Sequence, residues 1–472
     1  MRTTTTADAA RQAGGAVVGD ASVAIGPDVV IDSRAVTPGA LFVAVAGERF
    51  DGHDFVATAV ASGAAAVLVD RELAVAAPQI VAADTVAALS SLAREQVALA
   101  RAAGTLSVAL TGSSGKTSTK DLIAQVLADA GPTVAPAGSL NNEIGVPLTC
   151  CRVDEQTRFL VSELGARGIG HITWLTGIVA PDIALVLNVG VAHLGEFGGL
   201  EVTAQAKGEL VEAVGADGWA ILNANDPRVA AMASRTSAQV GWFAVGAVPD
   251  VVSDLVVTAT DVTLDDLSRP SFTLVVTTPA GTSAQAVSLD LVGAHHAANA
   301  AAAAAVAVAA GIDPSHVAAS LNSATARSAW RMALTRRPDG VLVLNDAYNA
   351  NPDSMRAALA TLVSLVAGQR RTHPDARGYA VLGDMLELGP DAGDLHRSIG
   401  ALAAVDGVLA IGDHARDIVA GAASIGVPGR VVTRDEVTGV LDLAPGDVVL
   451  VKASRGLRLE TVAEALMEGA NR

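Results

Sequence analysis

Cysteine is nearly absent: Cys150 and Cys151 are the only two in a chain of 472 residues. Sequence neighbours cannot build a disulfide framework, so a cystine-stapled scaffold is excluded and a reducing, cytoplasmic setting is expected. Aromatic residues are also scarce, at 3%, while hydrophobic residues reach 51%, so alanine and valine must fill the core. Positive charge is short. With 32 Lys and Arg against 49 Asp and Glu, the net charge is −17, which argues against wrapping nucleic acid. A phosphorylated small substrate remains compatible, because single loops can be positive inside an acidic chain. The N-terminus has no continuous apolar run of the kind a signal peptide needs. The longest stretch free of Asp, Glu, Lys and Arg is Leu291 to Ile312, which is mostly alanine. Alanine gives little drive into lipid, so a buried helix is expected there and no membrane span. No internal repeat is visible.

What is present centres on Ser107 to Asp121, SVALTGSSGKTSTKD. The apolar run Leu106 to Leu110 has strand length, and Thr119, Leu122, Ile123, Val126 and Leu127 recur at helical spacing. Between them lies a loop of small residues, Gly112, Ser113, Ser114, Gly115, followed by Lys116, Thr117 and Ser118. Glycines there admit a phosphate close to the backbone, and the N–H groups of a helix start point at it. Lys116 adds charge for terminal phosphates and Thr117 a hydroxyl for magnesium. Leu110 stands where the common phosphate loop has its first glycine, so this is a shortened G-x-x-G-K-T. A glycine turn with a solvated lysine is the plain alternative.

Length suggests roughly three domains. Residues 1–105 alternate short strands and helices. Two of their polar loops, one with Ser33 and Arg34 and one with Gly52 and His53, can hold a diphosphate or a uracil edge or simply turn the chain. Residues 106–325 hold the phosphate loop and the strand Arg158 to Glu163, whose terminal acid can hold magnesium. A further strand, Asp182 to Gly190, leads to His193. Helical winding of Thr203 to Val214 puts Lys207 inside an apolar stripe with Ala204, Leu210, Val211 and Val214, opposite Gln205, Glu209 and Glu212. Burial there favours a neutral amine that can take up carbon dioxide as a carbamate; the alternative is a lysine reaching the rim. The turn NANDP, Asn223 to Pro227, can touch a base or merely turn. Asn299 can read an adenine edge, or with His295 cap the alanine-rich helix. Asn322 to Ser328 reads as a linker on which a hinge closure is expected. Residues 326–472 alternate strands and helices again, giving a second largely parallel sheet. The expected class is α/β: a small N-terminal domain, a central phosphate-loop domain with a mostly parallel sheet, and a C-terminal Rossmann-like domain.

Together these motifs resemble the Mur ligases of peptidoglycan synthesis over nearly the whole chain. TGSSGKTSTKD is similar to the family's ATP loop, and NNEIGVPLT, with Asn142, to its next motif. The resemblance implies that Thr117 and Glu163 hold one magnesium ion, that His193 and a carbamylated Lys207 hold a second, and that Lys116, Lys207 and His193 are catalytic. It gives Ser33, Arg34, Gly52 and His53 to the UDP part of a substrate, Asn299 to adenine, and Arg331 and Asp346 to the rest of ATP. The loops DAYNANPDSM and GDMLELG resemble the branch that adds D-alanyl-D-alanine to UDP-N-acetylmuramoyl-tripeptide. They assign Tyr348, Asn349 and Asn351, with Lys452, Ser454 and Arg455, to substrate. A monomer is expected. Two departures stand out: Ala453 and Trp330 occupy positions where the family more often has glycine. A simple nucleotide switch lacks support, because no Asn-Lys-x-Asp base-reading motif is present. A sister ligase with another acceptor, and a non-catalytic binder of UDP-linked peptides, are the remaining alternatives. The binder has no need of Lys116, Glu163 and Lys207 together.

Overall fold

Short apolar strands alternating with helices pair mostly in parallel, through crossovers that cover both sheet faces. The computed structural model, which describes residues 1–47, 50–190, 199–247 and 253–468, contains three such sheets and a small two-stranded one. The first has five strands, all parallel except for the edge strand Ala16–Val18. Its last helix, Thr85–Ala102, packs Leu89, Leu92 and Val97 into a core that continues under the central sheet.

The central sheet has nine strands. Leu106–Thr111 lies between Phe159–Glu163 and Ile183–Val186, parallel to both. The chain therefore builds one flank, crosses over, and builds the other. Ligands collect at that kind of reversal, at the carboxyl ends of the strands. An antiparallel meander, Leu255–Leu264, Pro270–Thr278 and Gly281–Ser288, extends the sheet. The middle strand of the meander alternates cleanly, with Phe272, Leu274 and Val276 inward. The alanine-rich helix is His296–Ala309, and Ala300 to Ala305 are fully buried. Their small side chains let it lie against the helix Lys116–Ala130 and the sheet together. Among the described residues, no helix is long and apolar enough to cross a membrane.

The third sheet has six strands, with Val448–Lys452 inserted between Leu342–Asn345 and Gly378–Gly383. All three run the same way, so the loops after Asn345, Gly383 and Lys452 emerge side by side.

The expected linker is only partly free. Asn322 still belongs to the helix Pro314–Asn322, and its side chain bonds Ser288 and Ala286. Thr325 is gripped at both backbone groups by the Gln125 amide, at 3.0 Å each. The first half of 322–328 is thus tied to the central domain, Asn322 to the strand Gly281–Ser288 and Thr325 to the phosphate-loop helix. Beyond Thr325, Trp330 and Met332 adopt left-handed backbone angles, with φ of 57° and 50°.

Candidate active site

The loop after Leu106–Thr111 is set by glycine. Gly115 has φ +77°, and a Cβ there would stand 3.1 Å from Asn299 Oδ1. The N–H groups of Ser113 and Ser114 donate to Asn188 Oδ1, at 3.0 and 2.9 Å. Lys116 Nζ donates to the Gly112 carbonyl at 2.7 Å. These three donors are thus satisfied internally, by groups an incoming phosphate can replace. Burial pushes Lys116 below the usual lysine range; Glu163 opposes that shift and Arg331 adds to it.

Glu163 ends its strand, fully buried. One carboxylate oxygen accepts from Ser139 Oγ and Asn141 Nδ2, both at 2.7 Å. The other, Oε2, is buried with no hydrogen-bond partner among the described residues. An orphaned anionic oxygen in the cleft that Thr117 also lines fits a divalent cation. Among the described residues, no group of three His, Cys, Asp or Glu side chains is arranged to hold a metal ion by itself. One carboxylate suffices where phosphate oxygens complete the shell. His193 lies outside the described residues.

Lys207 sits mid-way along the helix Leu200–Glu212, only 4% exposed. Burial, with the nearby Lys116 charge, holds it well below its ordinary basicity. The apolar stripe is as read, with one correction. Glu209, placed opposite Lys207 on a helical wheel, is buried as well. It accepts from the N–H of Gly170 and of Thr173 and from the Thr173 hydroxyl, so it caps the helix His171–Val179.

One cleft of about 720 Å³ brings these groups together. The central sheet contributes Lys116, Thr117, Glu163, Lys207 and Asn299; Ser113, Ser114, Gly115, Ser118 and Asn142 line it too. The third sheet faces them with Asp346, Tyr348, Asn349, Asn351, Lys452, Ser454 and Arg455. Arg331 lies between the two sets, its guanidinium 4.1 Å above the Tyr348 ring. Asn351 Nδ2 reaches the Ser113 carbonyl at 3.4 Å, so the two walls touch at the phosphate loop. Asp346 and Lys452 pair with each other at 2.5 Å, and Lys452 also donates to the Asn349 carbonyl. Lys452→Met strands that carboxylate in the interior. We expect a loss of about 3–5 kcal/mol, measured as a lower urea midpoint at unchanged slope.

Other expected site residues lie elsewhere. Ser33, Arg34, Gly52 and His53 do not line this cleft. Arg34 is exposed and forks onto Asp32. The His53 ring is buried between Asp51 and Asp70, with Nδ1 on the first and Nε2 accepting from Asp70 N–H. Both ring nitrogens are taken in this structure, and the ring holds its loop. Capping by His295 and Asn299 fails too, since the helix end has no side-chain cap. In NANDP, Asn225 bonds Val245, and Asp226 caps Pro227–Ala230 and takes Val189 N–H, so the turn reading stands. Ser139, Asn141, Asn188 and the trio Glu143, Arg167 and His171 belong to the site or its support but were not singled out. Asn141 and Glu143 carry a signal, as members of the motif NNEIGVPLT.

Comparison with known proteins decides the family. Residues 28–104 match the Mur ligase family catalytic domain, 110–307 the Mur ligase middle domain, and 330–455 the Mur ligase glutamate ligase domain. A Mycobacterium bovis protein named UDP-N-acetylmuramoyl-tripeptide--D-alanyl-D-alanine ligase is 44% identical, over 93% of this chain and 92% of its own. The chain belongs to the Mur ligase family. A protein of the same name from Escherichia coli (strain K12) is 38% identical over 93% of each chain. Among solved structures, MurF from Acinetobacter baumannii superposes with a TM-score of 0.84 at 31% identity, covering 99% of both chains. MurF ligase from Thermotoga maritima in complex with ADP gives 0.74 at 27%, covering 94% of this chain and 97% of that one. Like those Mur ligases, the chain is an α/β protein built on several mostly parallel sheets.

Proposed function

We propose that this chain joins the amine of D-alanyl-D-alanine to the terminal carboxylate of UDP-N-acetylmuramoyl-tripeptide, converting ATP to ADP and phosphate, in the cytoplasm. The observation that carries the reading is the single cleft in which a phosphate loop, a buried acid and a desolvated lysine face three loops of another sheet. Relatives that match over more than nine-tenths of the chain carry that activity in their names.

The substrate carboxylate attacks the γ-phosphorus of ATP, giving an acyl phosphate and ADP. The dipeptide amine then attacks the acyl carbon, and phosphate leaves. Such phosphoryl transfer needs positioning and charge neutralisation more than a protein nucleophile. Lys116 and the loop N–H groups take the β- and γ-phosphates. Asn299 serves adenine, and Arg331 and Asp346 the ribose side. Thr117 and Glu163 would hold one magnesium ion and His193 and carbamylated Lys207 a second, whose charge would offset repulsion between carboxylate and phosphate. The carbamate forms when the neutral Lys207 amine adds to carbon dioxide and releases one proton. The dipeptide meets Tyr348, Asn349, Asn351 and the Lys452 to Arg455 loop. Units 1–105, 106–325 and 326–472 then receive the UDP part, ATP and the acceptor respectively, with Ser33, Arg34 and the Gly52–His53 loop at the first.

Incubation with the UDP-linked tripeptide, D-alanyl-D-alanine and ATP, followed by mass spectrometry, tests the reading. The expected product carries the added dipeptide; ADP release that is indifferent to the dipeptide would count against it.

A further inference from the structure

Two consecutive N–H groups suspend the loop after Gly378–Gly383. Leu386 N–H donates 3.0 Å to Ser454 Oγ, and that hydroxyl donates 3.3 Å to the Ala350 carbonyl. Met385 N–H donates 2.8 Å to Nε2 of His396, a fully buried side chain on the helix Ala392–Gly400. The other ring nitrogen, Nδ1, lies 2.6 Å from the Ala392 carbonyl. A carbonyl can only accept, and Nε2 must accept from Met385. The ring is therefore neutral, with its proton on Nδ1.

His396 itself does not line the cleft, whereas Leu386 and Glu387 do, on the wall opposite Lys116 and Lys207. We propose that His396 is a positioning residue for the acceptor: its neutral imidazole holds Met385 N–H and so fixes where Leu386 and Glu387 meet the incoming amine. The inference rests on the function proposed above.

The surroundings favour that tautomer. The His414 ring stacks on His396, centroids 4.4 Å apart and planes 15° apart. His414 bonds Asp417, which also pairs with Arg397. The Asp384 carboxylate is occupied by the N–H groups of Asp413 and His414. Burial is the main cause lowering His396 basicity; the Ala392 carbonyl works against it, and His414 adds to it. A proton on Nε2 would set two donors face to face and release Met385.

Two substitutions separate positioning from bulk. In His396→Gln the amide oxygen can reach the place of Nε2 and still accept. In His396→Asn the shorter amide reaches only the place of Nδ1. We expect His396→Asn to raise KM for D-alanyl-D-alanine about tenfold, as one buried donor loses its acceptor. His396→Gln is expected to stay within about threefold, and both to keep KM for ATP and for the UDP-linked substrate. The unsubstituted chain should also lose kcat/KM for the dipeptide more steeply on acidification than His396→Gln. Equal losses in the two variants, or a parallel rise in KM for ATP, would overturn the inference alone. An unsubstituted chain that uses ATP and the UDP-linked peptide but not the dipeptide would overturn the proposed acceptor and this inference together.

Discussion

Lys207→Ala is expected to slow ligation by about 10²–10³-fold, the loss typical of removing one charge-stabilising group from a reaction centre. Short-chain carboxylic acids added to the variant should restore part of the rate, because a carboxylate can stand where the carbamate stood. A mutant with unchanged activity would remove the carbamate from the mechanism. Stability should move the other way. The folded protein holds Lys207 well below its ordinary basicity, chiefly through burial. At neutral pH the unfolded chain therefore binds that proton more readily, and the lysine disfavours folding. Its contribution to stability improves as pH rises toward the unfolded value. Lys207→Met should accordingly melt at or above the temperature of the unsubstituted chain while being nearly inactive. A variant both inactive and strongly destabilised would mark Lys207 as a packing residue.

The second large effect is expected for Lys116→Met: about a 10³-fold fall in the single-turnover rate of ADP formation. The half-buried lysine feels the charges of Glu163 and Arg331 and donates to the Gly112 carbonyl. Arriving phosphates would add negative charge beside it and raise its affinity for a proton. The loss should appear at the first step, before any dipeptide is needed, and saturating D-alanyl-D-alanine should not relieve it. A variant that forms ADP normally but fails only in dipeptide transfer would contradict that placement.

The parts that were readable in the sequence are those written in neighbouring residues. Strands such as Val448–Lys452 are continuous apolar runs because both of their faces are covered. Lys207 showed its face through spacings of three and four. What stayed hidden depends on partners distant in the chain. Glu209 looks like a solvent-facing acid until the helix His171–Val179 arrives to be capped. The Gln125 amide that pins Thr325 lies 200 residues away. His53 reads as a loop ligand, yet Asp51 and Asp70 enclose it. The Pro270–Thr278 strand alternates inward and outward but is bordered by turns rather than helices, so the βα rhythm around it masked the meander. The two departures from the family habit acquire reasons. Ala453 packs its methyl against the backbone of Gly383. Trp330 accepts a left-handed angle that glycine takes without strain, and the Arg455 guanidinium lies 4.3 Å over its ring.

Arg331 is the residue flanked by those two left-handed positions, just past the Gln125 anchor. A rotation of the last lobe relative to the central one, pivoting beyond Thr325, would carry this guanidinium with it or turn at its backbone. On its proposed assignment to the nucleotide, swivel angle and occupancy become coupled variables. Reciprocity then requires that ATP favour one orientation by the same factor by which that orientation tightens ATP.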